Sequence, residues 1–228
     1  MVISNRDPSP PVPLTKGSLS RAAKLLARRD KDLASILKQH GPPPLWARKP
    51  GFATLVQIIL EQQVSLASAA SLFARLNKSI VPFQPAQMLL LGEPHLKSLG
   101  LTRQKTAYCL HLSQLLNEKH LNLSQLSRSS DEEAKARLME VKGIGAWSAD
   151  IYLLMALGRA DIWPSSDLAI AIAVKELKGL KVRPASDELN EIGERWKPFR
   201  SVAARMLWQH YLAHHKDWRK RQGREANC

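Results

Sequence analysis

Asp167 is the residue of this sequence that is best placed to do chemistry. It follows the segment GRADIWPSS at Gly158–Ser166, and it precedes an apolar run that predicts a helix. A carboxylate at such a position can stabilise a developing positive charge, and it can orient or deprotonate an attacking water molecule. Asp is also a preferred cap for a helix N-terminus, and Ser166 could serve there too. Taken singly, the position favours capping, and one side chain can fill both roles.

A glycine turn lies upstream of this aspartate, in the segment LMEVKGIGAWSA at Leu138–Ala149. We predict that one helix ends before Gly143 and that another begins directly after Gly145. The two glycines leave backbone N–H groups uncovered at a helix N-terminus, where the helix dipole favours an anion, and Lys142 adds a positive charge beside them. The pattern predicts a site that binds a nucleic-acid phosphate independently of the base sequence. Considered alone, the glycines fit an ordinary cap between two helices better.

The order of these features changes that interpretation. The chain contains, in this order, a hairpin, an apolar helix, G-R-x-D, an aromatic residue, Pro, two further residues and Asp. This order resembles the signature of the helix-hairpin-helix DNA glycosylases. The branch that it resembles most is 3-methyladenine DNA glycosylase II. The segments FATLVQIILEQQVS (52–65) and WKPFRSVAARMLW (196–208) extend the resemblance, which runs from about Pro50 to Trp218. In that family the Asp at the position of Asp167 is essential and faces the flipped nucleotide, so the resemblance implies catalysis by this residue.

The residue two positions after the second glycine indicates the type of glycosylase. Bifunctional members carry a lysine there, which forms a Schiff base with the sugar, whereas this chain has Trp147. The resemblance therefore implies base excision without strand cleavage. Breaking the N-glycosidic bond builds positive charge on the sugar, and Asp167 would stabilise it. Since an alkylated base already carries positive charge and leaves readily, the predicted substrate is an alkylated purine of the 3-methyladenine type.

The resemblance also implies where a damaged base is held. The base must leave the helical stack, and Gln63 matches the family's position for the side chain that fills the gap; a polar helix-end residue is the alternative. Gln62 is expected to form only local hydrogen bonds. Trp208 and Trp147 are predicted to line the base pocket, because aromatic faces attract a cationic ring. Trp46, in a Pro-rich loop, could close that pocket, and core packing is the alternative for these tryptophans.

The charge balance predicts the partner. Lys and Arg number 34 against 20 acidic residues, a formal net charge of +14 that favours a polyanion. We expect the partner of a monomeric enzyme to be double-stranded DNA with a damaged base. Without a visible secretory signal or a bilayer-length apolar stretch, we expect an intracellular, soluble protein that works on DNA in a bacterial cytoplasm or a nucleus, with no membrane partner.

The sequence predicts neither a cofactor nor a metal. The chain has two cysteines, too few for an iron–sulfur cluster or a four-thiolate zinc site. His214 and His215 are adjacent in the sequence, and we expect no third ligand at a useful spacing from them.

Helical periodicity over nearly the whole chain predicts an all-α fold. We expect about ten helices in two lobes around a DNA-binding cleft, with a helix-hairpin-helix motif. Residues 1–17 are rich in Pro and Ser, and we predict that they form a flexible N-terminal arm. We expect the glycosylase domain to span residues 18–218 and a basic tail to span residues 219–228. Arg159 and Asp161 are expected to form an ion pair that holds the loop before the catalytic aspartate.

Two other functions are compatible with the sequence. One is a glycosylase for deaminated or etheno bases, which a panel of substrates would distinguish. The other is a non-catalytic helix-hairpin-helix DNA-binding module, which predicts duplex affinity with no base release and no effect of Asp167→Asn. The closely spaced glycines and carboxylate argue against a further alternative, a cationic helical scaffold protein.

Overall fold

Helices form all the regular secondary structure of residues 12–215, the part of the chain that the computed structural model describes. The predicted all-α class is confirmed, and none of these helices is long and apolar enough to cross a membrane. Residues 1–11 of the predicted arm and the predicted basic tail at 219–228 lie outside the described residues. The helices are α1 (Lys16–Arg29), α2 (Lys31–His40), α3 (Phe52–Glu61), α4 (Leu66–Ser79), α5 (Pro85–Ser98), α6 (Arg103–Asn117), α7 (Leu123–Leu126), α8 (Asp131–Met139), α9 (Ala146–Ile151), α10 (Leu168–Lys178), α11 (Ser186–Glu194) and α12 (Arg200–His214).

Capping side chains decide where several of these helices begin. Ser130 and Glu133 form a capping box that opens α8, since each side chain bonds the backbone N–H of the other residue. Asp30 separates α1 from α2, and its Oδ1 accepts hydrogen bonds from the backbone N–H groups of Asp32 and Leu33 at 2.9 and 3.2 Å. These caps satisfy N–H groups that a helix N-terminus leaves without partners.

The helices pack in two groups, as predicted. The first contains α1, α2, α10 and α12, and the second contains α3 to α9, with a π-helical turn at Tyr152–Ala156 that continues α9. Apolar side chains from both groups join in one buried cluster, so the lobes share a core. Within the first lobe, the indole of Trp196 donates to Asp30 Oδ2 at 2.9 Å and Lys178 pairs with Asp32 at 2.9 Å. These contacts join the start of α2 to the end of α10 and to the segment after α11.

The last residues of the predicted arm are attached to the domain. The backbone N–H of Leu14 donates to the carbonyl oxygen of Gly158 at 2.8 Å, beside the loop that leads to Asp167. Helix α1 then begins at Lys16, two residues before the predicted boundary, because Thr15 and Ser18 form a capping box there. The start of the described chain therefore covers one side of that loop.

Candidate active site

The Asp167 side chain is fixed at the start of α10 by three donors. Its Oδ1 accepts hydrogen bonds from the backbone N–H of Ile170 at 3.0 Å and from the Trp208 indole at 3.1 Å. Its Oδ2 accepts from the Trp147 indole at 2.8 Å. The residue is 8% exposed, so the carboxylate is nearly shielded from solvent and held in one orientation. A carboxylate in such surroundings stabilises a nearby positive charge far better than water does.

Two of the three tryptophans predicted for the base pocket donate hydrogen bonds to this carboxylate, and the third packs against one of them. Trp147 lies on α9 and Trp208 on α12, while Trp46 comes from the loop between α2 and α3. The ring of Trp46 packs edge-on against Trp208, with ring centroids 6.4 Å apart and an interplanar angle of 67°. Trp46 adopts a φ of +44°, a left-handed conformation that costs a bulky residue free energy. The fold thus brings Asp167 and all three indoles together from four separate segments.

The turn between α8 and α9 depends on Gly143. This residue adopts a φ of +90°, and a Cβ added to it would lie 2.2 Å from the ring of Tyr108. Gly145 differs, because its φ is −88° and an added Cβ would meet nothing within 4 Å. Lys142 is exposed, and its backbone N–H donates to His111 Nδ1 at 3.0 Å. The hairpin therefore presents the Lys142 side chain and the start of α9 to solvent.

The turn between α3 and α4 carries Gln63 at the surface. Its φ is +56°, so this exposed side chain stands on a strained backbone. The expectation that Gln62 bonds only locally was wrong, since its Nε2 donates to Gly143 O at 2.8 Å and to Ser148 Oγ at 2.9 Å. Gln62 ends α3 with an extended ψ of 126°, and its side-chain amide reaches across to the hairpin. The turn with Gln63 is thereby tied to the hairpin.

Lys105 also holds this turn, and sequence reasoning gave it no such role. Its Nζ donates to the carbonyl oxygens of Leu60 at 2.7 Å and Gln62 at 2.9 Å. These carbonyls belong to the end of α3, where a cation is stabilised by the helix dipole. Burial lowers the pKa of Lys105. A lysine at the start of an amphipathic helix has no sequence signal that would distinguish it from a solvated charge.

The predicted ion pair between Arg159 and Asp161 was wrong. Asp161 instead pairs with Arg200, whose Nε and Nη2 each donate to one carboxylate oxygen at 3.0 Å. Arg159 is 1% exposed and lies 3.3 Å from Asp131. A buried guanidinium needs several acceptors, and the carbonyls at the end of α7 supply them. Its Nη2 donates to the carbonyl oxygens of Leu126, Ser127 and Ser129.

The reason for expecting no metal ligands near His214 does not hold in three dimensions. Ring nitrogens of His40, His210 and His214 lie within 4.8 Å of one another. His40 belongs to α2 and is far from His214 in the sequence, whereas His210 precedes His214 by four residues on α12, a spacing that places both side chains on one helix face.

Residues 56–198 match the family model described as the HhH-GPD superfamily of base excision DNA repair proteins. The chain belongs to this superfamily, and the family predicted from the sequence is confirmed. It is 28% identical over 207 residues to the alkylbase DNA glycosidase-like protein mag2 of Schizosaccharomyces pombe, covering 86% of this chain and 95% of that one. It is 26% identical over 185 residues to the putative DNA-3-methyladenine glycosylase YfjP of Bacillus subtilis. That match covers 78% of this chain and 64% of the relative, slightly under two thirds of its length.

Solved structures confirm the fold. The 3-methyladenine DNA glycosylase of Schizosaccharomyces pombe, in complex with abasic DNA, superposes with a TM-score of 0.75 at 24% identity, over 83% of this chain and 95% of that one. A DNA-3-methyladenine glycosidase of Bacillus halodurans superposes with a TM-score of 0.76 at 24% identity, over 87% and 92% of the two chains.

Proposed function

We propose that this protein is a monofunctional DNA N-glycosylase that flips out and excises alkylated purines of the 3-methyladenine type, leaving an abasic site. The observation that carries the proposal is the Asp167 carboxylate, held by two indoles between the hairpin helix and α12. Membership of a base excision repair superfamily supports it, as do the names of the relatives, which describe alkylbase and 3-methyladenine glycosylases.

In the proposed reaction the bond between C1′ and the base nitrogen breaks, and its electron pair leaves with the base. A base that was cationic through alkylation departs neutral, so it needs no proton from an acid. The sugar becomes an oxocarbenium ion, which the Asp167 carboxylate stabilises. Water then adds to C1′, and the carboxylate accepts its proton or directs it to solvent. Trp147, Trp208 and Trp46 would stack against the cationic ring.

Other parts of the site would hold the duplex. Lys142, Gly143 and Gly145 would bind a phosphate at the hairpin, where the start of α9 and a cation face solvent. Gln63 would enter the stack in place of the flipped nucleotide. The net charge of +14 favours double-stranded DNA as the partner, and we propose that one copy of the chain acts alone inside the cell.

We infer the absence of strand cleavage from Trp147. This residue occupies the position of the lysine in bifunctional enzymes, and its indole donates to Asp167 Oδ2. An indole nitrogen is not nucleophilic toward C1′, so this position offers no route to a covalent imine. Borohydride should therefore trap no protein–DNA adduct during the reaction.

Incubation with methylated duplex DNA tests the proposal, with separate assays for free bases and for strand nicks. We expect free methylpurines, and strand breaks only after alkali. Asp167→Asn should reduce the rate of base release by at least about 1,000-fold, by analogy with the loss of other preorganised charges.

Asp30→Asn is the matched control. Asp30 also caps a helix and accepts from a tryptophan indole, that of Trp196, but it starts α2. Asn caps a helix about as well as Asp does, so both substitutions keep the cap and remove one carboxylate charge beside an indole. Only Asp167→Asn should abolish excision. Duplex binding without base release by the unaltered protein would instead identify a DNA-binding module. Release of hypoxanthine or etheno bases in preference to methylpurines would identify a glycosylase for those lesions.

A further inference from the structure

Three histidines from two distant helices meet where α2 packs on α12. His40 is the last residue of α2, and His210 and His214 lie one turn apart on α12. One ring nitrogen from each lies within 4.8 Å of the other two. The ring centroids of His210 and His214 are 4.1 Å apart, and that of His40 is 6.3 and 5.9 Å from them. This spacing, two histidines four residues apart plus one from a neighbouring helix, is typical of a site built for one cation.

The hydrogen bonds of these rings leave one nitrogen of each ring available to a ligand. Among the described residues, the buried Nε2 of His40 and the buried Nδ1 of His210 have no hydrogen-bond partner. Nδ1 of His214 lies 2.8 Å from the carbonyl oxygen of His210. Because that oxygen can only accept, the proton of His214 resides on Nδ1 and the lone pair on Nε2 is available to a ligand. Buried nitrogens without partners cost free energy that a bound cation would recover.

An acidic residue, Glu176, lies close to the same cluster of histidines. Nε2 of His210 lies 3.7 Å from Glu176, whose other carboxylate oxygen contacts His215 at 2.7 Å. A carboxylate on the far nitrogen orients a metal-binding imidazole and increases its basicity.

We propose that His40, His210 and His214 form a binding site for a Zn²⁺ ion that ties the end of α2 to α12. Three imidazoles suit Zn²⁺ better than Mg²⁺ or Ca²⁺, which prefer oxygen ligands. Zn–N bonds of about 2.0–2.1 Å in a tetrahedron need nitrogens roughly 3.3 Å apart, a distance that small side-chain rotations can reach. His214 is exposed, so water can complete the coordination. The ion would stabilise the folded state by linking segments that are far apart in the sequence.

Equilibrium dialysis of the chelator-treated full-length protein against Zn²⁺ tests this site, with Co²⁺ absorption to report its geometry. We expect one Zn²⁺ per chain, d–d bands of a nitrogen-rich tetrahedral Co²⁺ site and a higher melting temperature with Zn²⁺. His214→Gln should weaken Zn²⁺ binding by at least about tenfold, and Glu176→Gln by about tenfold, since even outer partners of a ligand affect affinity by that much. His214 is exposed, so its substitution leaves the core intact.

His95→Gln is the control, because His95 is an exposed histidine on α5 and should bind Zn²⁺ only weakly by itself. Its substitution should leave Zn²⁺ affinity and the Co²⁺ spectrum unchanged. Absence of saturable Zn²⁺ binding would overturn the proposal, and so would less than a tenfold difference between His214→Gln and the unaltered protein. The result does not depend on base excision, so it stands or falls separately from the proposed enzymatic function.

Discussion

The two oxygens of the Asp167 carboxylate are held unequally. Oδ1 has two donors, the backbone of Ile170 and the indole of Trp208, while Oδ2 has the Trp147 indole. If the Trp208 donor is removed, Oδ1 still has the backbone N–H of Ile170 as a donor. If the Trp147 donor is removed, Oδ2 loses the donor that the structure gives it. In the proposed reaction, the orientation of the carboxylate toward the anomeric carbon should therefore depend mainly on Trp147.

Phenylalanine substitutions test this asymmetry, since they keep an aromatic face and remove the N–H. Trp147→Phe should lower the single-turnover rate of base release by roughly 10- to 100-fold, the value of a hydrogen bond to a charged group. Trp208→Phe should have a clearly smaller effect on that rate. Rates on methylated duplex DNA, with affinity and melting temperature measured in parallel, separate catalysis from binding and folding. Equal losses in both variants would contradict the asymmetry.

At the scale of elements, the hairpin is positioned by its neighbours. The ring of Tyr108 on α6 packs over Gly143, and the Gln62 amide from the end of α3 binds the carbonyl of the same glycine. The turn can therefore neither take a side chain at Gly143 nor move independently of the Gln63 turn. A rigid link between the two turns would keep the phosphate contact and the inserted side chain in register on one duplex.

Alanine substitutions at the two hairpin glycines should differ in their effect on the stability of the fold. Gly143→Ala should destabilise the protein by about 2–4 kcal/mol, because it adds a left-handed backbone cost to a collision with Tyr108. Gly145→Ala should change stability by less than about 0.5 kcal/mol, since the added methyl group meets open space. Urea unfolding of both variants measures the difference. Similar destabilisation by the two substitutions would show that the packing over Gly143 is not what the turn requires.

Because Gln63 has a strained backbone, we predict that replacing it with glycine stabilises the fold and slows base release. Gln63→Gly should stabilise the fold by up to about 1 kcal/mol by relieving the positive φ, and it should slow base release because the inserted side chain is lost. Gln63→Ala should slow base release without stabilising the fold. Urea unfolding and the fluorescence of 2-aminopurine beside the lesion measure the two effects. Normal base flipping in both variants would remove Gln63 from the proposed role.

At the scale of the whole molecule, the net charge of +14 should dominate affinity for undamaged duplex DNA. Cations that neutralise phosphates release counterions, so affinity falls linearly with salt on a double logarithmic plot. The Asp167 carboxylate is nearly shielded from solvent, so the chemistry proposed for it should respond much less to salt. Binding and catalysis should therefore separate as ionic strength rises.

Lys142→Gln should reduce the slope of that plot by about 1, as expected for the loss of one phosphate contact. Lys24, an exposed cation on α1 of the other lobe, provides the control, and Lys24→Gln should leave the slope unchanged. Fluorescence anisotropy of a labelled duplex over a series of salt concentrations measures both slopes. Equal slopes for Lys142→Gln and the unaltered protein would place the phosphate contact elsewhere.

Much of the fold could be predicted because its determinants are local. The glycine turn that ends one helix and begins the next involves residues within a few positions of one another. Hydrogen bonds over such short spans follow from residue type and spacing. Motif order also predicted the superfamily, while the roles of Asp167, Gln63 and the tryptophans are still predictions that the experiments above test.

What the sequence determined by itself is therefore the helical class, the superfamily and the candidate carboxylate. The tertiary structure decided which partners the polar side chains find. Gln62 reaches the hairpin, Asp161 pairs with Arg200, and His40 joins two histidines of α12. These contacts join residues that are far apart in the chain, so they depend on how the helices pack. The physical reason is that a long polar side chain has many acceptors within reach, and only the packed core selects one of them.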